Sequence, residues 1–149
     1  WAIREAKRVL KPQGCFYSFE PDDHFLVFPE SKKALHQVVA LWQKKVGELG
    51  LDPFVGRRIY PILCAQGFQR VQTRLLTKVS TGGDPQIYQK HLGNLEKIFL
   101  SRGPEFLGLR SKDPLWQNAL LEFHSCSAGE LMVEGYFIHL GFKEEADVG

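Results

Sequence analysis

The chain has 149 residues, of which 44% are hydrophobic, 24% charged and 12% aromatic, with a net charge of +2. That balance describes one folded domain with its own core and excludes disorder, which needs low hydrophobicity and a large net charge. Collagen-like and low-complexity classes fail because the 14 Gly and 8 Pro follow no period, and no apolar run nears the roughly 18 residues of a membrane span.

The 19 basic residues are interspersed with 17 acidic ones, so no nucleic-acid footprint is expected. Cys15, Cys64 and Cys126 are odd in number and widely spaced, which suggests neither a disulfide framework nor a zinc site and fits a cytoplasmic protein. His124-Ser125-Cys126 is the nearest approach to a ligand cluster, and packing or surface is its simpler reading. The chain opens on Trp1 and its only methionine is Met132, yet no signal-peptide pattern precedes the first helix. The expectation is the downstream piece of a longer protein, with a trimmed N-terminus as the plainer alternative.

Taken in order, Trp1 to Leu10 sets Ile3, Ala6, Val9 and Leu10 on one helical face. Lys11-Pro12-Gln13-Gly14 stops that helix, because Pro12 cannot continue it and Gly14 permits a sharp turn. CFYSFE, residues 15–20, is a short aromatic run bounded by turns, which predicts a strand. Apolar groups on both of its faces predict an interior strand of a covered sheet. Pro21, Asp22 and Asp23 end it.

A longer helix is predicted over Ser31–Leu49, where Leu35, Val38, Val39, Trp42, Val46 and Leu49 fall at three- and four-residue steps before Gly50. A shorter one near Arg57–Gln66 buries Ile59, Ile62 and Leu63, with Tyr60 in the core, and ends at Gly67. From Phe68 to Val79 the residues alternate. Val71, Thr73, Leu75 and Val79 share one face while Arg70, Gln72, Arg74 and Lys78 share the other, the pattern of a half-exposed edge strand.

After the STGGDP loop, Asp84-Pro85 reads as N-cap and first helical residue of a helix carrying Ile87, Leu92, Leu95, Ile98 and Phe99. Asp113-Pro114 repeats that signal before Leu115, Trp116, Ala119, Leu120 and Phe123. GYFIHLGF, residues 135–142, is nearly continuous apolar and aromatic and predicts a central strand. Helices between strands imply an α/β sheet covered on both faces. Three strands are too few for that much helix, and a strand at 15–20 that looks interior wants a neighbour this chain does not encode.

The segment AIREAKRVLKPQGCFYSFEPDD resembles the helix and fifth strand of class I S-adenosylmethionine-dependent methyltransferases, in which a helix ending in RVLKPGG precedes a strand closing on acidic residues. Here the motif reads RVLKPQG at residues 8–14, with Gln13 where the first family glycine usually stands. Leu51-Asp52-Pro53-Phe54-Val55-Gly56-Arg57-Arg58 and the later Cys64-Ala65-Gln66-Gly67-Phe68 resemble the stretch leading into strand six, and GYFIHLGFK resembles the terminal strand seven.

The resemblance implies a partial Rossmann-like sheet of strands five, six and an antiparallel seven lying between them. It covers residues 1–83 and 132–144, with a helical insertion over 84–131 that roofs the substrate side. It also implies S-adenosylmethionine as cofactor of the full-length protein, a small-molecule methyl acceptor, and neither nucleic acid nor membrane as partner. The family's cofactor loop, Gly-rich and placed after its first strand, has no counterpart. Gly47-Glu48-Leu49-Gly50 lies at a helix end and Gly82-Gly83 between a strand and a capped helix. The expectation is a substrate-side half, with the cofactor half outside this chain.

In doubly wound sheets the ligand crevice lies beyond the carboxyl ends of the strands. That singles out Glu20, Asp22, Asp23 and His24, where a carboxylate or imidazole would accept a proton from an acceptor group or orient it. Capping a turn is the competing role. Arg57 and Arg58 follow a glycine at a helix start, an unfavourable place for cations, so Arg57 either pairs with an acid of the 20–23 cluster, fixing the loop, or is plain surface charge. Trp116, with Phe99, Phe106 and Phe123, lines an apolar cavity or belongs to a plain core. Two other functions stay open: a non-catalytic assembly module, dimerising through the edge at 15–20, and a nicotinamide-dependent enzyme piece, against which RVLKPQG argues.

Overall fold

A computed structural model of the protein describes residues 2–84, 86–87, 90, 103–125, 127 and 129–144. Their elements are α1 (Ala2–Val9), β1 (Cys15–Pro21), a 3-10 turn (Asp23–Phe25), α2 (Lys33–Glu48), α3 (Val55–Ala65), β2 (Gln69–Thr81), α4 (Gly103–Phe106), α5 (Pro114–His124) and β3 (Leu131–Phe142). The helix expected to carry Leu92 to Phe99 lies outside the described residues. Its start signal is present, since the Asp84 carboxylate accepts the Ile87 N–H at 3.1 Å.

The last strand in sequence is the middle one in space. The sheet order is β1-β3-β2, with β1 and β3 antiparallel from Cys15 opposite Phe142 to Pro21 opposite Tyr136. On the other side, Thr73 meets His139, and five residues later Lys78 meets Glu134, five residues earlier. Partner numbers that fall as strand numbers rise make this pair antiparallel as well. The apolar run therefore occupies the centre, and the alternating 69–81 segment occupies an edge, as their patterns predict.

Burial departs from expectation on both flanking strands. Among the described residues β1 pairs with β3 alone, and Tyr17 is 59% and Phe19 46% exposed. Leu75 and Val79 of β2 are also exposed. Alternation sets which face a side chain joins, but only a helix or sheet laid on that face buries it.

Two compact units divide the chain: Trp1–Phe25, Phe54–Thr77 and Gly135–Gly149 form one, and Leu26–Pro53 with Lys78–Glu134 forms the other. In the first, Ile59, Leu63 and Phe68 make a core joined by Ile3, Leu10, Phe16, Val55 and Val71. Tyr60 and Ile62, expected inside, are exposed because they sit on the outer side of α3. Lys7, just before the RVLKPQG motif, ties α1 to α3. Its ammonium donates to the Gln66 and Gly67 carbonyls at 2.8 and 2.7 Å, closing the end of α3.

In the second unit α2 packs on α5. One core cluster is Ala34, Val38, Leu107, Trp116 and Ala119, and another is Phe28, Leu35, Val39, Phe123 and Met132. Asp113 caps α5 as the sequence predicts, its carboxylate accepting the Leu115 N–H at 2.9 Å ahead of Pro114 at the first position. Lys32 is 3% exposed, and its ammonium donates to the Glu122 carbonyl, the Ser125 carbonyl and the Ser125 hydroxyl at 2.8 Å each, with Glu130 at 3.0 Å. Among the described residues no helix is long and apolar enough to cross a membrane.

Candidate functional site

The site grows from the point where β1 stops. Pro21 opposite Tyr136 is the last paired residue of β1, and the Asp22 N–H still reaches the Gly135 carbonyl at 3.2 Å. The chain then turns through Asp23–Phe25, because the Asp22 side chain accepts the His24 N–H at 3.1 Å and its carbonyl accepts the Phe25 N–H at 2.9 Å. Gly135 has no side chain for a reason: a Cβ there would lie 2.4 Å from the Phe25 Cβ.

Against this turn sits the first turn of α3. A Cβ on Gly56 would be 2.7 Å from the Phe137 ring and 3.2 Å from both the Asp22 Cβ and the Pro21 carbonyl. Glycine thus lets the helix start touch the strand end. Contact delivers Arg57 to Asp22, which decides between the two readings of Arg57 in favour of an acid of the 20–23 cluster. Nε donates to Oδ2 at 2.8 Å, Nη2 to Oδ1 at 2.5 Å, and the Arg57 backbone N–H to Oδ2 at 3.3 Å. Bidentate geometry with added backbone donors is the strong form of an ion pair.

Electrostatics follow from burial. The Asp22 side chain is 0% exposed, whereas that of Arg57 is 41% exposed. Desolvation alone would raise the Asp22 pKa, but the Arg57 guanidinium and the N–H groups of His24 and Arg57 outweigh it and hold the carboxyl below its ordinary value. The guanidinium also lies over the Phe54 and Phe25 rings, at 5.6 and 5.9 Å from their centroids.

Behind the pair stands a residue that sequence reasoning missed. His139 is 0% exposed in β3, with Nε2 2.8 Å from the Gly56 carbonyl and Nδ1 2.9 Å from the Thr73 hydroxyl. A carbonyl only accepts, so Nε2 carries the proton and Nδ1 accepts from Thr73. Burial lowers the His139 pKa, opposed by the Gly56 carbonyl and the charge of Glu20. The imidazole is neutral and ties β2, β3 and the start of α3 together. Its signal in the sequence was a lone histidine within an otherwise apolar strand.

The other expected residues divide. Glu20 is half-buried on β1 opposite Phe137, Asp23 is half-buried at the start of the turn, and His24 is exposed with its ring edge-on to Phe25. Glu20, Asp22, Asp23, His24 and Arg57 thus gather at one strand end. Trp116 does not join them. It is 5% exposed in the α2–α5 core, because its spacing with Ala119 and Phe123 turns it inward. Phe123 is core too, and Phe106 packs beside Trp42 with ring centroids 5.2 Å apart.

Gly47 is inside α2, Gly50 follows its end with φ of +73°, and Gly82 turns the chain back toward the Glu130 carbonyl at 2.9 Å. Gly47 and Gly50 follow no strand, and Gly82-Gly83 lies between β2 and the Asp84 cap of the next helix start. Among the described residues no three His, Cys, Asp or Glu converge as metal ligands. Compared with known proteins, the chain matches no family model and no curated sequence.

Chemically, Asp22 is a structural anion. Its oxygens already accept from four donors and its pKa is lowered, so it is a poor general base. The groups around it are the Glu20 and Asp23 carboxylates, the His24 imidazole and the rings of Phe25 and Phe54.

Proposed function

We propose that the chain is the substrate-side part of a class I S-adenosylmethionine-dependent methyltransferase acting on a small, partly apolar molecule, with the cofactor-binding half outside it. The observation that carries this reading is the strand order, with the last strand antiparallel in the middle of the sheet. That is where the resemblance of RVLKPQG and GYFIHLGFK to strands five and seven puts it. Support also comes from the acidic turn at the carboxyl end of β1 and from the outer edge of β1, unpaired among the described residues, beside which the family's cofactor half would lie.

Methyl transfer from a sulfonium is an in-line displacement, limited by alignment and water exclusion more than by acid–base work. In this reading the Asp22–Arg57 pair fixes the turn, and Glu20, Asp23 or His24 orients the acceptor. The test uses the full reading frame that contains this chain, a methyl-labelled donor and a panel of small acceptors. Label should pass to a small molecule, and Arg57→Ala should raise the acceptor KM while leaving donor binding unchanged. Transfer to no small acceptor by a folded, donor-binding protein would overturn the reading.

A second reading is favoured by the open edge itself: a non-catalytic assembly module that keeps the methyltransferase-like fold and pairs through β1. Here Tyr17 and Phe19 exist to meet another chain, and no methyl donor is involved.

A further inference from the structure

The first turn of α3 is not capped by its own N-cap residue. That residue is Phe54, whose side chain makes no capping hydrogen bond, so the leading N–H groups of the helix need partners from elsewhere. Asp22 serves one of them from 35 positions away, accepting the Arg57 N–H on Oδ2 at 3.3 Å. The carbonyl of that same peptide unit, on Gly56, accepts from His139 Nε2 at 2.8 Å. One peptide plane is thus held at both ends, by β3 through its oxygen and by the residue after β1 through its nitrogen.

From β2 onward the bonds all run in one direction. The Thr73 hydroxyl donates to His139 Nδ1 at 2.9 Å, Nε2 donates to the Gly56 carbonyl, and the Arg57 N–H donates to the Asp22 carboxylate. A carbonyl has two lone pairs, so Gly56 can take the imidazole in addition to its place in the helix. Such a head-to-tail chain ends best on an anion, and the Asp22 side chain is 0% exposed with the Arg57 guanidinium on its two oxygens. Packing leaves the peptide little room to tilt. A Cβ on Gly56 would lie 2.7 Å from the Phe137 ring, and that ring stacks on His139 at 5.8 Å and 17°.

We propose that His139 is a positioning residue of the strand-end site: by holding the Gly56 carbonyl it sets the tilt of the Gly56–Arg57 peptide, and with it the angle at which Arg57 meets Asp22. Its bearing on chemistry rests on the methyltransferase reading above. There His139 touches neither donor nor acceptor and acts only through Arg57 and the turn that Asp22 anchors. A misplacement of about 1 Å in a reacting site costs on the order of 100-fold in rate. The direction of the chain also demands one tautomer, because with the proton on Nδ1 a lone pair of Nε2 would face the Gly56 carbonyl.

The test begins with the isotope-labelled 149-residue chain at neutral pH. Nitrogen–proton correlation spectra should show His139 protonated on Nε2, and protonation on Nδ1 instead overturns the proposal. In His139→Leu, which cannot donate, hydrogen exchange at the Arg57 N–H should quicken at least ten-fold more than at the core Leu63 N–H. His139→Gln, whose amide can donate to Gly56, should bring Arg57 back to within three-fold of wild type. Thr73→Val, a milder change at an exposed position, should quicken Arg57 selectively by about three-fold. Equal acceleration at Arg57 and Leu63, or none at Arg57, reduces His139 to a general support and overturns positioning. In the full reading frame, His139→Leu should raise the acceptor KM at least ten-fold with the donor KM within two-fold. A folded wild type that transfers no methyl group removes the methyltransferase reading, and the exchange result still decides whether His139 positions Arg57.

Discussion

Two buried ion pairs, one in each compact unit, use the same chemistry for different ends. In the helical unit the cation is hidden: Lys32 is 4% exposed at its side chain, Glu130 16%, and three further oxygens surround the ammonium. The pair locks the end of α5 to the start of α2. Around the strand end the anion is hidden instead: Asp22 is sealed while Arg57 stays partly open on two aromatic rings. A buried charge surrounded on every side is a fastening. A buried charge that fixes a partly exposed one is a mount.

Substitutions sharpen that contrast. The largest effect is expected in the helical core, where Trp116→Ala should cost about 3–5 kcal/mol in urea unfolding, the range for truncating a buried aromatic. Had Trp116 lined an open cavity, the loss would be far smaller. Lys32→Met should follow at about 3–5 kcal/mol, because Glu130 and the helix-end carbonyls lose their donor together. Arg57→Met should cost less, about 1–3 kcal/mol, since the N–H groups of His24 and Arg57 still serve Asp22 and its carboxyl can protonate. Equal losses at Lys32 and Arg57 would erase the distinction between fastening and mount.

Glycines test the close contact. Gly56→Ala should cost about 1–3 kcal/mol, because its Cβ meets ring, strand and carboxylate stem at once. Gly47→Ala, with nothing within 4 Å of its Cβ inside α2, should instead stabilise by about 0.5–1 kcal/mol.

The pH dependence has a definite sign. The folded pKa of His139 is lowered, so the unfolded chain takes up its proton first, near the ordinary value of about 6.5. Stability is present above that value and is lost as pH falls toward the folded pKa. Asp22 behaves alike at lower pH, its contribution being present above about 3.9 and lost as pH falls through its lowered folded value. Urea midpoints of the wild type should decline from about pH 7 to 5, and His139→Gln should flatten that interval while leaving the acid limb of Asp22 in place.

Local chemistry made much of this legible. The Asp113-Pro114 start, the Pro12-Gly14 stop and the unbroken apolar run of 135–142 are decisions taken by a few adjacent residues, and they hold. Arg57 was traceable because a cation at a helix start needs a reason, and Asp22 supplies it. What the sequence left hidden depends on distant surfaces. Tyr60 and Ile62 lie in the same short helix as Ile59 and Leu63, but only the second pair, four residues apart on one face, joins the core. The partners of His139, the Gly56 carbonyl and the Thr73 hydroxyl, are far from it in sequence and meet it only in the fold.

The central claim, a substrate-side half without its own donor cradle, meets its most direct test in calorimetry with S-adenosylmethionine on two proteins. The 149-residue chain should bind none, and the full reading frame that contains it should bind with micromolar affinity. Micromolar binding by the short chain, or no binding by the long one, would contradict the account.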